Sequence, residues 1–220
     1  MCSHDSVFGA TIQAMEILRV GDVGVEVAAA KAALVLKSDG LVVYPTDTLY
    51  GLGAAMDSSE AVAKLHAIKS RSEEKFLSFI VPDVSMIERY AHMNETSRTL
   101  ATSFLPGPLT LKLEAKDSVP ASVAHDGAIR IRIPDDTFAL ALARAYGAPF
   151  SATSANISGE PTPSTIEGIV AQFGERISDI DLLVDDGPRA GGTPSTIISC
   201  VGEKLEIIRE GALSKEALGL

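Results

Sequence analysis

The sequence predicts a single α/β domain built around a mixed, twisted sheet with flanking helices. With 220 residues and 46% hydrophobic content, the chain can bury one sizeable core. Short apolar runs rich in β-branched residues alternate with Ala- and Leu-rich stretches of helical period, and some runs follow one another as hairpins. This mixture of βα units and hairpins favours a mixed sheet. We place the domain at residues 12–211, between peripheral tails at 1–11 and 212–220.

The elements follow from the apolar periodicity. Strands are predicted at 15–20, 41–44, 76–81, 109–114, 128–134, 148–153, 181–184, 197–201 and 204–209. Helices are predicted at 25–37, 61–68, 83–91, 94–104, 136–146 and from 164 to about 173. Two helix starts look like capping boxes, Asp57 to Glu60 and Ser164 to Glu167. Free N–H groups at the second start could bind a phosphate, but the sequence favours Ser164 as a simple N-cap.

The stretch 41–53, LVVYPTDTLYGLG, is the first indication of a site. A buried strand ends at Pro45, which has no N–H to donate to a sheet. Small polar residues follow, and the two glycines of YGLG allow a close approach of the backbone. Polar side chains at a strand end are typical of α/β binding sites. A tight turn formed by Thr46 and Asp47 explains the same residues, and both interpretations stay open.

The strand at 128–134, AIRIRIP, alternates sharply. Its three isoleucines share one face, whereas Arg130 and Arg132 share the other. Two neighbouring guanidinium groups are good receptors for carboxylate or phosphate. An edge strand with its charges in solvent is the other interpretation, and it suits Arg130 slightly better than Arg132.

Further polar and cationic residues lie at other predicted element ends. Lys69, Arg71 and Lys75 surround one helix-to-strand turn, and a second strand leads into Ser154 and Asn156. Cations at a helix C-terminus suit the macrodipole, but on an acidic chain this cluster also suits an anion-binding site. The sequence contains no Walker loop, complete dinucleotide fingerprint or G-x-S-x-G elbow. Binding of anionic small molecules fits this inventory better than covalent or metal-hydrolytic chemistry.

The overall charge narrows the function classes. The chain has 29 acidic and 19 basic residues, a net charge of -10, which argues against a general nucleic-acid coat or an anionic-membrane anchor. Few aromatics and no Trp argue against a base-stacking platform. The cysteines and histidines form no metal-ligand spacing. Because neither a signal peptide nor a long apolar run is present, we expect a soluble, cytoplasmic protein without a membrane partner.

Four motifs in order resemble the YrdC/Sua5 family of threonylcarbamoyl-AMP synthases, over roughly residues 20–211. The motifs are YPTDTLYGLG at 44–53, the K-x-R of Lys69 and Arg71 with Lys75, the S-x-N of Ser154 and Asn156, and Pro194-Ser195-Thr196 followed by Arg209. FLPGPLTL at 104–111 also resembles the family's W-P-G-P-L-T segment. Each motif is weak alone, but the ordered set is highly specific.

The resemblance implies a nucleotidyltransferase that condenses L-threonine, bicarbonate and ATP to threonylcarbamoyl-AMP and pyrophosphate, for threonylcarbamoyladenosine modification of tRNA. It implies a sheet curled around a deep, positively lined cavity, in the short single-domain form of the family. The implied downstream partner is tRNA or the tRNA-modifying threonylcarbamoyl transferase complex. Mg²⁺ is the implied cofactor, bound through ATP and not by direct protein ligation.

The same resemblance assigns roles to individual residues. It implies that Lys69, Arg71, Ser154 and Asn156 are catalytic. The implied ATP-binding residues are Lys69, Arg71, Lys75, Asn156, Ser164 and Arg209. The implied threonine-binding residues are Thr46, Thr48, Arg132, Ser154 and Ser195, with Arg132 on the carboxylate. Departures from the family pattern are Ser70-Arg71-Ser72 for the commoner G-R-P, Phe104 for Trp, and Ile80 where some relatives have histidine.

Two other functions stay open. One is a tRNA- or double-stranded-RNA-binding module without catalysis, which the acidic charge disfavours. The other is a carbamoyl-adenylate-forming transfer to another acceptor, as in the related domain of hydrogenase-maturation proteins. That domain is usually fused to acylphosphatase and zinc-finger regions, and neither is visible in this sequence.

Overall fold

A computed structural model describes residues 15–70, 76–189, 193–202 and 205–220. The strands are β1 (Glu16–Arg19), β2 (Val42–Tyr44), β3 (Gly51–Gly53), β4 (Ser78–Ile80), β5 (Ala91–His92), β6 (Leu109–Ala115), β7 (Ala128–Arg132), β8 (Phe150–Ser151), β9 (Thr153–Ser154), β10 (Leu182–Asp185), β11 (Thr196–Ser199) and β12 (Glu206–Arg209). The helices are α1 (Val20–Val23), α2 (Val25–Lys37), α3 (Ser59–Ile68), α4 (Val84–Tyr90), α5 (Glu95–Phe104), α6 (Thr137–Tyr146) and α7 (Ile166–Phe173), which leads into a 3₁₀ helix at Gly174–Asp179.

Hydrogen bonding divides the strands into two sheets, where the sequence predicted one. The five-stranded sheet has the order β1-β10-β2-β3-β9, and the seven-stranded sheet has the order β12-β11-β6-β7-β4-β8, with β5 beside β6. Both sheets are mixed: β1, β10 and β2 are parallel to one another, whereas β3 is antiparallel to β2. In the second sheet, β7 is parallel to β4 and antiparallel to β6. The predicted mixed α/β class is therefore confirmed, with the sheet split in two.

The two sheets meet at Ala152, between β8 of one sheet and β9 of the other. The backbone N–H of Ala152 donates to the Ser78 carbonyl, and that of Ser151 donates to the Ala54 carbonyl at 2.8 Å. The larger core cluster contains buried residues from both sheets, so the two sheets share a core and form one domain. The Ala-rich face of α2 packs on α6 in one cluster, and a larger cluster fills the opposite side. Among the helices of the described residues, none is long and apolar enough to cross a membrane.

Several predicted element ends are confirmed, but both capping boxes are wrong by one residue. Helix α2 has the predicted bounds, and α6 ends at Gly147 in a left-handed conformation. The α3 cap is Ser58, whose hydroxyl accepts from the Ala61 N–H. The α7 cap is Thr165, whose hydroxyl accepts from the Gly168 N–H at 3.2 Å. In both places adjacent polar residues compete for one position, and the backbone geometry selects the second.

The glycines of YGLG lie in strand β3 and not in a loop. A Cβ atom on Gly51 would lie 2.6 Å from the Tyr44 ring, and one on Gly53 would lie 3.1 Å from it. The close backbone approach predicted for these glycines is therefore an approach to the buried Tyr44 side chain. The Tyr44 hydroxyl donates to the Ser151 carbonyl at 2.8 Å, which links β2 to β8 across the sheet boundary.

Two further expectations need correction. Strand β7 lies between β6 and β4, so it is an interior strand and not a solvated edge. The C-terminal tail is not wholly peripheral, because Leu218 is buried in the larger core cluster and the Thr196 hydroxyl donates to the Leu213 carbonyl at 2.6 Å. The tail thus helps to hold β11 in place.

Candidate active site

A cavity of about 600 Å³ opens between the two sheets. Its walls come from the ends of β2, β3 and β9 on one side and from β4, β7, β11 and β12 on the other. Six residues that the resemblance assigned to substrate binding line it: Thr46, Thr48, Arg132, Ser154, Ser195 and Arg209. The structure therefore gathers residues that are far apart in the chain into a single hollow.

Arg132 is held in the cavity wall by three different groups. Its Nη2 donates to both oxygens of Asp47 at 2.5 Å, and its Nε donates to the Gly107 carbonyl at 3.1 Å. Its Nη1 lies 3.3 Å from the Thr48 hydroxyl. The Gly107 carbonyl occupies Nε, and the Asp47 carboxylate occupies Nη2. Nη1, which lies beside the Thr48 hydroxyl, is therefore the guanidinium nitrogen best placed to bind a second carboxylate.

Thr46 and Thr48 belong to one hydrogen-bonded turn. The Thr46 hydroxyl accepts from the N–H of Thr48, donates to the Leu49 carbonyl at 2.6 Å and lies 3.1 Å from the Thr48 hydroxyl. The turn interpretation is confirmed for Thr46, and the same turn places Thr48 in the cavity lining, so the binding role of this stretch stays a prediction. Asp47 has a further role besides its place in the turn, because its carboxylate forms an ion pair with Arg132.

Ser195 and Arg209 form the opposite wall. The Ser195 hydroxyl lies 2.8 Å from the Thr110 hydroxyl, and Nη2 of Arg209 donates to the Ser195 carbonyl at 2.7 Å. Burial and the positive charge of Arg132 lower the pKa of Arg209. Both guanidinium groups line the same cavity, and an anion bound there would offset the repulsion between their charges.

Lys69, Ser154 and Asn156 form a second polar group next to the cavity. The Lys69 ammonium is buried and donates to the carbonyls of Ser154 and Asn156 and to the Asn156 Oδ1 at 3.0 Å. The Ser154 hydroxyl donates to the same Oδ1 at 2.6 Å. Ser154 lines the cavity, whereas Lys69 and Asn156 lie behind it. In this structure Lys69 shapes the 154–156 segment, and its predicted catalytic role stays a prediction.

The remaining predicted residues lie elsewhere. Ser164 is exposed outside the cavity lining, and its carbonyl accepts from the Arg189 N–H at 2.8 Å. Arg71 and Lys75, both assigned to ATP, are outside the described residues. Their roles are unchanged as predictions.

Sequence reasoning underestimated Arg130. It lines the cavity, and its guanidinium carbon lies 4.5 Å from the centre of the Phe76 ring. The alternation along β7 already placed it on the same face as Arg132. The edge-strand interpretation of this segment was wrong. Strand order depends on contacts between distant parts of the chain, and the periodicity of one segment does not predict it.

Comparison with known proteins decides the family. The Sua5_yciO_yrdC family model, described as "Telomere recombination", matches residues 34–211. The chain belongs to this family. Among the family's proteins, the Threonylcarbamoyl-AMP synthase of Bacillus subtilis is 37% identical over 192 residues, 86% of this chain and 55% of that protein. A Putative threonylcarbamoyl-AMP synthase of Methanocaldococcus jannaschii is 39% identical over 178 residues, 81% of this chain and 83% of that protein.

A solved member of the Sua5/YciO/YrdC family has the same fold. The crystal structure of P. abyssi Sua5 complexed with L-threonine superposes with a TM-score of 0.83 at 30% identity, over 92% of this chain and 58% of that chain. This chain therefore spans a little over half the length of the Bacillus and P. abyssi relatives, but most of the Methanocaldococcus one.

Proposed function

We propose that this protein is a threonylcarbamoyl-AMP synthase that uses L-threonine, bicarbonate and ATP. The observation that carries the proposal is the cavity, in which two cations and three hydroxyls predicted for these substrates converge between the sheets: Arg132, Arg209, Thr48, Ser154 and Ser195. Two relatives that carry this activity in their names, at 37% and 39% identity, support it.

The Arg132 end of the cavity would bind threonine. Nη1 of Arg132 and the Thr48 hydroxyl can receive the threonine carboxylate, while Asp47 keeps the guanidinium in place. A threonine complex of P. abyssi Sua5, which shares this fold at 30% identity, supports an amino-acid site in such a cavity. Binding at this end would point the threonine amine into the cavity.

The chemistry then needs placement and charge neutralisation more than acid–base catalysis. The amine condenses with bicarbonate, with loss of water, to give a carbamate. A carbamate oxygen attacks the α-phosphorus of ATP, a new P–O bond forms, and the bond to the β-phosphate breaks with its electron pair on the leaving pyrophosphate. Arg209 would offset the charge that gathers between carbamate and phosphate, and Ser154 and Ser195 would orient the reactants.

Mg²⁺ fits this site as a companion of ATP. The described residues hold no group of three His, Cys, Asp or Glu side chains arranged for a metal ion. Hydroxyls and arginines dominate the cavity wall, and they suit a polyphosphate whose own oxygens hold the metal. When bound, Mg²⁺ would neutralise phosphate charge, and the arginines would orient the chain of phosphates.

The test is pyrophosphate release by the purified full-length chain with ATP, Mg²⁺ and bicarbonate. We expect release that requires threonine, and we expect Arg132→Met to raise the KM for threonine more than the KM for ATP. Threonine-independent release, or none, would contradict the proposal. A parallel reaction with labelled carbamoyl phosphate as the carbamoyl source would identify a transferase for another acceptor instead.

The product would serve threonylcarbamoyladenosine modification of tRNA in the cytoplasm. Threonylcarbamoyl-AMP is a mixed anhydride, so it would pass its acyl group to tRNA, directly or through a tRNA-modifying threonylcarbamoyl transferase complex. Strong, salt-dependent tRNA binding without ATP turnover would favour the RNA-binding function instead.

A further inference from the structure

The cavity contains a cation that the substrate assignment does not use. Arg130 projects from β7 on the same face as Arg132, two residues away, which on a strand corresponds to roughly 7 Å. Arg130 is half-buried, and its Nε atom is buried with no hydrogen-bond partner among the described residues. Burying a guanidinium that lacks this hydrogen bond is costly, and an anion bound to its terminal nitrogens in the cavity would offset that cost.

The surroundings of Arg130 are cationic. Lys112 lies directly opposite it in the β6–β7 pairing, and burial together with the positive charge of Arg209 lowers the pKa of Arg130. Within the parts of the chain that the structure describes, Arg130, Arg209 and Lys112 form no ion pair with a carboxylate, whereas Arg132 pairs with Asp47. Glu160 also lines the cavity, but it is exposed and forms no ion pair with these three cations among the described residues, so no direct ion pair neutralises them.

Phe76 fixes the position of the Arg130 guanidinium. Arg130 stacks 4.5 Å from the centre of the Phe76 ring, and the Lys112 ammonium lies 4.9 Å from the same ring. The centre of the His125 ring lies 4.6 Å from the centre of the Phe76 ring. Cation–π contacts hold a guanidinium plane while leaving its edge N–H groups free to bind an anion. Phe76 is thus a positioning residue for Arg130.

The three arginines of the cavity indicate which anion fits Arg130. Arg132 and Arg130 lie two residues apart on β7, and Arg209 lines the same cavity from β12. If threonine binds at Arg132, its carboxylate occupies that guanidinium, and the α-phosphorus lies several covalent bonds away. The anionic groups left for Arg130 are then the β- and γ-phosphates, which follow the α-phosphate along ATP.

We infer that Arg130, supported by Phe76, binds the β- and γ-phosphates of ATP and the pyrophosphate that they become. This inference rests on the proposed synthase function and extends it to a subsite for the leaving group. Breaking the bond between the α-phosphorus and the bridging oxygen places a new negative charge on pyrophosphate. A guanidinium already in place at that end stabilises this charge without reorganisation.

Direct binding measurements separate this inference from the synthase assignment. We would titrate inorganic pyrophosphate with Mg²⁺, and separately AMP, into the full-length protein and into Arg130→Gln by calorimetry. Since a hydrogen bond to a charged group contributes about 1.5–3 kcal/mol, we expect pyrophosphate to bind about tenfold or more weakly to Arg130→Gln. AMP affinity should be unchanged, and Arg130→Lys should recover only part of the pyrophosphate affinity.

Arg144→Gln removes one exposed positive charge from α6, outside the cavity, and should leave pyrophosphate affinity unchanged. Phe76→Leu should weaken pyrophosphate binding less than Arg130→Gln does. The inference would be overturned if wild type and Arg130→Gln bound pyrophosphate equally, or if Arg130→Gln lost AMP binding instead. It would also be overturned if wild type with normal thermal stability bound no pyrophosphate. If wild type binds pyrophosphate but lacks threonine-dependent turnover, only the synthase assignment fails.

Discussion

Asp47 and Arg132 show how single side chains both stabilise the fold and form the site. Their side chains are 13% and 7% exposed, so water screens the ion pair weakly. Breaking such a pair leaves a charge buried without its partner. The alternation along its strand predicted Arg132 as a receptor for carboxylate or phosphate, but the sequence did not indicate Asp47 as its partner, because the two lie 85 residues apart.

We therefore predict that Asp47→Asn lowers the free energy of unfolding by about 3 kcal/mol, as expected for loss of one partner of a buried pair. The matched control is Asp186→Asn, which removes a 39%-exposed partner of Arg189 and should cost below about 1 kcal/mol. Urea denaturation at neutral pH measures both. Equal losses in the two variants would show that the Asp47 pair is no more stabilising than a surface pair.

Strand β3 forms because of tertiary packing and not because of the β-propensity of its own residues. GLG has little tendency to form a strand, yet it pairs with β2 and β9 because a bare backbone lets the Tyr44 ring lie against it. The Tyr44 ring also packs edge-to-face on Phe150 at 5.3 Å. The glycines could be recognised in the sequence as sites of close approach, but the group that approaches them is set by tertiary packing.

We predict that Gly51→Ala destabilises the protein by about 2 kcal/mol, since its Cβ would overlap the Tyr44 ring. Gly53→Ala should cost less, because its Cβ would lie 3.1 Å from that ring. Gly21→Ala is the control: apart from its chain neighbours and its own helix backbone, no atom lies within 4 Å of its Cβ position, so the stability should be within about 0.5 kcal/mol of wild type. Denaturation midpoints that do not follow this order would refute the packing argument.

The cavity is a property of the whole molecule, because each sheet supplies only one of its walls. Thr48 and Ser154 come from the side of the five-stranded sheet, and Arg132 and Arg209 come from the seven-stranded sheet. A ligand in the cavity would contact both sheets and would be lost on unfolding. Ligand binding should consequently stabilise the native protein through mass action.

We predict that threonine, at about 100 times its dissociation constant, raises the stability by about 2.7 kcal/mol and shifts the melting temperature upward. In Arg132→Met the shift with threonine should disappear, while the shift with ATP and Mg²⁺ should persist. Thermal denaturation with each ligand alone measures this. Loss of both shifts would indicate that Arg132 supports the cavity as a whole and does not select threonine.

Local patterns in the sequence were enough to predict the helices, most strands and the α/β class, and the family motifs indicated six of the residues that line the cavity. Periodicity, capping residues and turn residues act over a few positions, and each can be read locally. The folded structure was needed to show the two sheets, the interior position of β7, the place of Arg130 in the cavity wall and the ion pair between Asp47 and Arg132. Strand order and ion pairing join residues that are distant in the chain, and their energies depend on which surfaces exclude water together, so local patterns cannot predict them.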